Sequence, residues 1–369
     1  MSITDRQSQA RGAARADWDG STLTITTGAM QRRWHWTSSG FATVGLVRSG
    51  GPELVQEPAQ HGDLCLPGGL STTGAELLAV ELCIDDDDGF LDRHLLARVQ
   101  VRHPAAGCLV EIQHRAFVGA PGLHSQASIR LERPLPPLTG LDASMAVTAE
   151  SLPVPCRDAI VTAAGYYNET QRRNSLATPL LREERIPADG ACDWASLLRV
   201  EHAGEGCMLV KESHKCVNQP GYDGGAFLLD RTGLRSTGWG LRIDDLDETE
   251  WRSGWAHWAL AYAVADEDAA ARTLRDFLRQ RFPQDPRRDE VVVANTWGST
   301  AHARDARDAA REENVLRELA IAAELGVDVI QIDDGWQLPF AGPIDNANGW
   351  RPDENRWRCR WGRRRAVAS

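Results

Sequence analysis

The chain has 369 residues, a length that suits two or three domains, each large enough to bury its own core. Hydrophobic residues make up 42% and charged residues 25%, a globular composition rather than a disordered or fibrous one. The 41 basic and 52 acidic residues leave a net charge of -11, which argues against a nucleic-acid partner or a polybasic membrane-binding protein.

The hydropathy pattern and the cysteine spacing indicate where the protein is located and whether it binds a cofactor. No apolar run reaches the roughly 20 residues that a membrane span needs. Residues 1–20 lack the apolar stretch of a secretory signal. We therefore expect a cytoplasmic protein that does not contact a membrane. The eight cysteines include no Cys-x-x-Cys pair, so we expect reduced thiols, no metal and no cofactor.

Residues 1–17 are predicted to be disordered, and residues 18–264 are predicted to form one β-sheet domain. In this domain short runs of alternating hydrophobicity are separated by Gly, Pro, Asp and Ser. Residues 108–118 alternate well, with four residues expected to face inward: Val110, Ile112, Ala116 and Val118. Other predicted strands include Thr22–Thr26, Ala97–Val101, Gln126–Glu132 and Leu198–His202. Many short strands favour a large antiparallel β-sandwich, or supersandwich.

The hydrophobic period changes after this domain. Residues 266–282 carry apolar side chains at helical spacing, namely Ala270, Leu274, Phe277 and Leu278. Prolines at 283 and 286 follow this stretch. We predict a linker helix within residues 265–290.

From residue 291 the pattern is that of a β-α-β unit. Val291–Ala294 and Val327–Ile332 are short, β-branched runs typical of strands that are buried on both faces. Arg311–Leu325 between them is predicted to be a helix, and Gly326 follows as the residue that ends it. Parallel strands joined in this way belong to a doubly wound sheet or a (β/α)8 barrel.

Both predicted parallel strands end in polar and aromatic residues. Asn295-Thr296-Trp297 follows the first strand, and Asp333-Asp334-Gly335-Trp336 follows the second. Ligands bind at the carboxyl ends of strands in such folds. Sugar hydroxyls donate to carboxylates and a sugar ring stacks on indole, so these residues predict a hexose pocket. The alternative is that the aspartates cap a helix and the tryptophan packs in the core.

These motifs, together with Ala-Glu-Leu-Gly326, resemble the start of the catalytic barrel of family 36 glycoside hydrolases, the α-galactosidases or melibiases. The order of sandwich, linker helix and barrel is also similar to that family. The resemblance implies a retaining hydrolase of terminal α-D-galactosides. It also implies that Asp333 and Asp334 hydrogen-bond galactose hydroxyls, with Trp336 as the aromatic residue beside them. Together with Asn295 and Trp297 at the other strand end, these residues are predicted to bind a galactoside or oligosaccharide.

The resemblance places both catalytic carboxylates on later barrel strands, so no catalytic residue is assigned here. A (β/α)8 barrel takes about 250 residues, whereas only residues 291–355 match its start. Residues 356–369 form a basic tail without hydrophobic period. We interpret the chain as carboxyl-terminally truncated, by a frameshift or a premature stop, and expect no hydrolysis by this chain alone.

Two other functions stay open at this point. One is a non-catalytic sandwich that binds carbohydrate or mediates oligomerisation. The other is an α-galactosyltransferase of the raffinose-synthase type, because acceptor choice lies in later loops. The resemblance also implies a homo-oligomer formed through the sandwich. The acidic run Asp85–Gly89 does not fit an EF-hand, and we predict a solvated turn there.

Overall fold

The computed structural model describes residues 5–66, 70–134, 148–166, 181–212, 226–241, 246–299, 308–333 and 335–336. The chain divides into two compact units, Met1–Pro283 and Gln284–Ser369. No helix in the described ranges is both long enough and apolar enough to cross a membrane.

The first unit is almost entirely β-structure. Its strands are β1 (Gln7–Arg11), β2 (Ala14–Trp18), β3 (Thr22–Thr26), β4 (Met30–Thr37), β5 (Gly40–Arg48), β6 (Glu76–Asp85), β7 (His94–His103), β8 (Cys108–Ala116), β9 (Gly122–Leu131), β10 (Thr148–Leu152), β11 (Ile160–Tyr166), β12 (Leu181–Ile186), β13 (Gly190–Cys192), β14 (Leu197–His202), β15 (Glu205–Lys211), β16 (Phe227–Asp230), β17 (Gly233–Thr237), β18 (Arg252–Ser253) and β19 (His257–Ala263). Every pairing among them is antiparallel in the described part of this unit.

These strands form three sheets. One has the order β1-β2-β3-β4-β5, a second the order β10-β17-β16-β13, and the largest the order β12-β11-β14-β15-β19-β9-β8-β7-β6, with β18 on β9. One hydrophobic cluster takes residues from all three, among them Leu23, Val110 and Leu229. The arrangement is compatible with the predicted large β-sandwich.

The prediction of disorder for residues 1–17 is wrong for the described residues. β1 and β2 form an antiparallel hairpin, and Gln7 Nε2 donates to the Val80 carbonyl at 2.8 Å. Ala14 and Ala16 are fully buried. β1 was not predicted because its sequence is polar. The order of this strand comes from backbone pairing rather than from a hydrophobic face.

The alternation in residues 108–118 was read correctly except at its end. Val110, Ile112 and Ala116 face inward as predicted, but the strand stops at Ala116 and Phe117, not Val118, is buried. His114 lies on the same inward face and is 5% exposed. A buried histidine needs polar partners, so its burial points to a polar region inside the sandwich.

Arg32, Asp63 and Glu150 form a buried ion cluster between the sheets. The Arg32 side chain is fully buried and donates from Nη2 to Glu150 Oε1 at 2.7 Å and to Asp63 Oδ2 at 3.4 Å. Arg32 lies on β4, Glu150 lies on β10, and the two carboxylates are 6% and 8% exposed. Burial raises the pKa of Asp63 to about 7. Although burial acts to raise the pKa of Glu150, the Arg32 guanidinium lowers it overall.

Two buried histidines connect the largest sheet to this region. His114 on β8 stacks on Trp34 with ring centroids 4.3 Å apart, and its Nδ1 lies 2.8 Å from Ser125 Oγ. His257 on β19 places Nε2 2.9 Å from Ser236 Oγ on β17. Burial lowers the pKa of His114 to about 3 and the pKa of His257 to about 4. The polar interior therefore joins all three sheets.

Helix α1 (Ala269–Arg281) confirms the helix predicted after the sandwich. Its Phe277 is fully buried against the outer face of β19, in a cluster with Phe117, Leu260 and Tyr262. The first compact unit ends at Pro283, so α1 is part of that unit rather than a free-standing linker.

The second unit contains α2 (Pro286–Asp289), β20 (Val293–Asn295), α3 (Glu312–Glu324) and β21 (Val329–Gln331). β20 and β21 pair in parallel, which confirms the predicted orientation. Asp328 supports this pairing, because its Oδ2 accepts the Val292 N–H at 2.8 Å. Gly326 ends α3 with a φ of 73°, and Val327 N donates to the Ala322 carbonyl at 2.9 Å, as in a Schellman motif.

The prediction that both parallel strands are buried on two faces is wrong. Val292, Val293 and Val329 are between 44% and 57% exposed. On α3, Val315 and Ala322 are buried, whereas Leu316 and Leu319 are exposed. Among the described residues of this unit a single long helix accompanies the strand pair, and one helix covers only one face.

Candidate sugar-binding edge

The predicted site residues lie where β20 and β21 end. Asn295 is the last residue of β20, and Asp333 lies two residues beyond the end of β21. Because the strands are parallel with Asn295 opposite Gln331, both ends point to the same edge of the pair. We call this edge, formed by Asn295–Trp297 together with Asp333, Gly335 and Trp336, the strand-end edge.

Asn295 and Asp333 are in direct contact there. Asn295 Nδ2 donates to Asp333 Oδ2 at 2.9 Å, although 38 positions separate the residues. The Asp333 backbone N–H donates to Thr296 Oγ1 at 3.0 Å. Thr296 is 5% exposed, and the side chains of Asn295 and Asp333 are half-buried. The edge therefore presents an aspartate whose carboxylate and backbone N–H are both held by the neighbouring strand end.

The two predicted tryptophans flank this contact. Trp297 lies in the 3-10 turn Thr296–Ser299 and is 39% exposed, and its backbone N–H donates to Asn295 Oδ1 at 2.7 Å. Trp336 is half-buried. Gly335 has a φ of 117°, so the tight turn expected there is present. Asp334 lies outside the described residues, as do residues 337–355 and the basic tail 356–369.

A cavity of about 440 Å³ lies between the strand pair and α3. Asn295 and Thr296 contribute to it, but most of its walls are aliphatic, including Ile321, Leu325 and Ile330. Neither Trp297 nor Trp336 is among its described lining residues. Its described lining offers no indole face on which a sugar ring could stack, so the strand-end edge is the better candidate site.

The first unit offers a second concave surface. A cleft of about 800 Å³ is bounded by loop residues such as Glu57, Arg157 and Arg231 and has Val200 and Cys207 among its lining residues. Its described lining contains no Trp, Tyr or Phe side chain. The described residues contain no group of three or more His, Cys, Asp or Glu able to hold a metal ion. The turn at Asp85–Gly89 is closed by its own carboxylates, since Asp85 Oδ1 accepts two backbone N–H groups.

Sequence reasoning missed Thr296 and Asp328 as site-supporting residues. Thr296 lies inside the Asn-Thr-Trp motif, but nothing in the spacing shows that its hydroxyl oxygen reaches the backbone of Asp333. Asp328 precedes the second strand and could have been found, because a carboxylate at a strand start is suited to accept a backbone N–H from its neighbour.

Solved structures with the same architecture are α-galactosidases. AgaB from Geobacillus stearothermophilus, a GH36 α-galactosidase, matches with a TM-score of 0.52 and 12% identity, over 91% of this chain and 52% of that one. The α-galactosidase from Lactobacillus brevis matches with the same TM-score and identity, over 91% and 51%. The chain shares its fold with the GH36 α-galactosidases.

Another such structure is a variant of AgaA from Geobacillus stearothermophilus in complex with 1-deoxygalactonojirimycin, at a TM-score of 0.51 and 13% identity, over 91% of this chain and 53% of that one. The chain thus spans about half the length of these GH36 enzymes. No protein-family model matches the sequence, and no curated protein matches it. At 12–13% identity the similarity establishes the fold.

Proposed function

We propose that the strand-end edge forms part of the binding pocket for a terminal α-galactosyl group. In this proposal the chain is the sandwich and the first β-α-β unit of an α-galactosidase-type glycosidase. The observation that carries it is the hydrogen bond of 2.9 Å between Asn295 and Asp333. It brings two residues chosen as sugar ligands to one point, at the carboxyl ends of parallel strands where such folds bind ligands.

The chemistry of the edge suits a hexose. Asp333, and Asp334 beside it in sequence, supply carboxylate oxygens that accept hydrogen bonds from sugar hydroxyls. Trp297 is 39% exposed and supplies an indole face for the apolar side of the ring. The shared fold supports the same class of ligand, since an AgaA structure at a TM-score of 0.50 holds raffinose.

Galactose is expected to bind the purified chain in the millimolar range, and Asp333→Asn is expected to weaken binding by about 10- to 100-fold, because a hydrogen bond to a charged acceptor contributes about 1.5–3 kcal/mol. Ligand-observed NMR titration measures both affinities. Glu324→Gln, which removes an exposed carboxylate from α3, is the control variant. Glucose, which differs at C4, is the control ligand. Equal affinity of the Asp333→Asn variant and the unchanged chain would contradict the proposal.

Hydrolysis of p-nitrophenyl α-galactoside by this chain is expected to stay at the buffer rate. A retaining mechanism needs two carboxylates about 5 Å apart. The family resemblance places both of these carboxylates on barrel strands later than β21. We therefore propose that the described residues bind the galactosyl group without supplying either catalytic carboxylate. Release of p-nitrophenol that disappears in the Asp333→Asn variant would refute this expectation.

A further inference from the structure

The side-chain amide of Asn295 makes two hydrogen bonds whose directions are fixed by chemistry. The backbone N–H of Trp297 can only donate, so the atom 2.7 Å away is the amide oxygen of Asn295. The Asp333 carboxylate accepts, so the atom 2.9 Å away is the amide nitrogen. The amide is therefore locked in one orientation between its own strand end and Asp333.

Thr296 holds the backbone of the same aspartate. Its Oγ1 accepts the Asp333 N–H at 3.0 Å, and the threonine is 5% exposed. Consecutive residues of one strand end thus fix both the backbone and the carboxylate of Asp333. Asn295 is the last residue of β20, and Thr296 follows it. The paired strand β21 leads into Asp333, so the support is rigid.

We propose that Asn295 and Thr296 are positioning residues that orient Asp333 toward a sugar hydroxyl, and that Asn295 is not itself a sugar ligand. The inference rests on the proposed function, because it concerns the same edge. Fixing a side chain before the ligand arrives removes its ordering cost from binding, about 0.5–1.5 kcal/mol. This role replaces the direct sugar contact that the sequence suggested for Asn295.

Asn295→Asp separates positioning from direct contact. The new carboxylate keeps the acceptor for the Trp297 N–H but replaces the donor that faces Asp333. Two carboxylates at this distance share a proton at low pH. At high pH both are ionised and repel each other. Galactose affinity of the variant is expected to fall by about tenfold between pH 5 and pH 8, whereas that of the unchanged chain stays level. Asn314→Asp, the same change on α3, is the matched control and is expected to stay level as well.

Thr296→Val tests the second contact. Valine has the shape of threonine but no acceptor, so the Asp333 N–H loses its partner. Galactose is expected to bind about tenfold more weakly, and Thr296→Ser, which keeps a hydroxyl, is expected to stay within about threefold of the unchanged chain. The unfolding temperature of each sample shows whether a weak binder is folded.

The outcomes separate this inference from the proposed function. Galactose binding that needs Asp333 but is the same in the Asn295→Asp and Thr296→Val variants, at every pH, overturns the positioning role and leaves the proposed function standing. A loss in Asn295→Asp that is equal at all pH values makes Asn295 a direct ligand and also overturns it. No galactose binding by the unchanged chain overturns both.

Discussion

Replacing Arg32 with methionine is expected to lower the free energy of unfolding of the first unit by about 3–5 kcal/mol. The guanidinium is fully buried and is the charge partner of Glu150 at 2.7 Å and Asp63 at 3.4 Å. Methionine fills much of the same volume, but it leaves the buried Glu150 carboxylate, and Asp63 whenever it is ionised, without a cation. Urea unfolding followed by tryptophan fluorescence measures the loss.

Arg33→Met is the matched control, because Arg33 lies next to Arg32 on β4 and pairs with Glu53 on the surface, where the two side chains are 41% and 35% exposed. Its loss is expected to stay below about 1 kcal/mol. Adding Glu150→Gln and Asp63→Asn to Arg32→Met is expected to recover part of the stability, since the unpaired charges are then gone. Equal losses for the Arg32 and Arg33 variants would show that the buried ion cluster contributes no more than a surface pair.

The first unit is expected to lose stability as pH falls from about 6 to 4.5, by at least about 1.4 kcal/mol per pH unit. His114 and His257 take up protons near pH 6.5 when unfolded, but burial lowers their pKa values to about 3 and about 4 when folded. Each histidine therefore gives the unfolded chain one extra proton in this window. Asp63 acts in the opposite direction, because burial raises its pKa to about 7 and the folded chain holds that proton.

Among His114, His257 and Asp63, two histidines against one aspartate leave one surplus proton on the unfolded chain, which sets the sign and a lower limit for the slope. Asp63 gives stability that is fully present below pH 3.8 and is lost as pH rises to about 7. The histidines give stability that is present above pH 6.5 and is lost as pH falls toward 4 and 3. Burial also lowers the pKa values of His103 and His124, which act in the same direction as the other two histidines.

Asp63→Asn tests this balance. Asparagine cannot take up the proton, so the offset is removed and the slope is expected to become steeper by about 1.4 kcal/mol per pH unit. Free energies of unfolding from urea titrations at about pH 6, 5 and 4.5 give both slopes. A variant slope equal to that of the unchanged chain would show that Asp63 is ionised in the folded chain throughout this range.

The fold was predictable wherever a hydrophobic period was visible. β3, β8 and α1 follow from alternating or helical spacing, and the parallel pair β20 and β21 follows from two β-branched runs on either side of a helix. The hairpin at residues 7–18 was missed because backbone pairing, not a hydrophobic face, orders its first strand. The exposure of Val293 and Val329 was missed because a sequence pattern describes what a strand can bury, not how many layers surround it.

The sequence predicted which residues form the candidate site but not the role of each residue. Parallel strands place their carboxyl ends together, so the meeting of Asn295 and Asp333 followed from topology alone. The direction of each hydrogen bond did not, because it depends on side-chain rotation and on the 3-10 turn that carries the Trp297 N–H. The buried ion cluster could not be predicted from the sequence, since Asp63 and Glu150 lie 31 and 118 positions from Arg32.

That cluster has a consequence for how this chain can change over evolution. Arg32 belongs to one sheet and Glu150 to another, so a substitution at either position affects both sheets. Replacing these residues without loss of stability then requires two or three coordinated substitutions. A single substitution on the way leaves an unpaired charge buried. Positions 32, 63 and 150 are therefore expected to change together among related sequences, while the outward-facing residues of the same strands change independently.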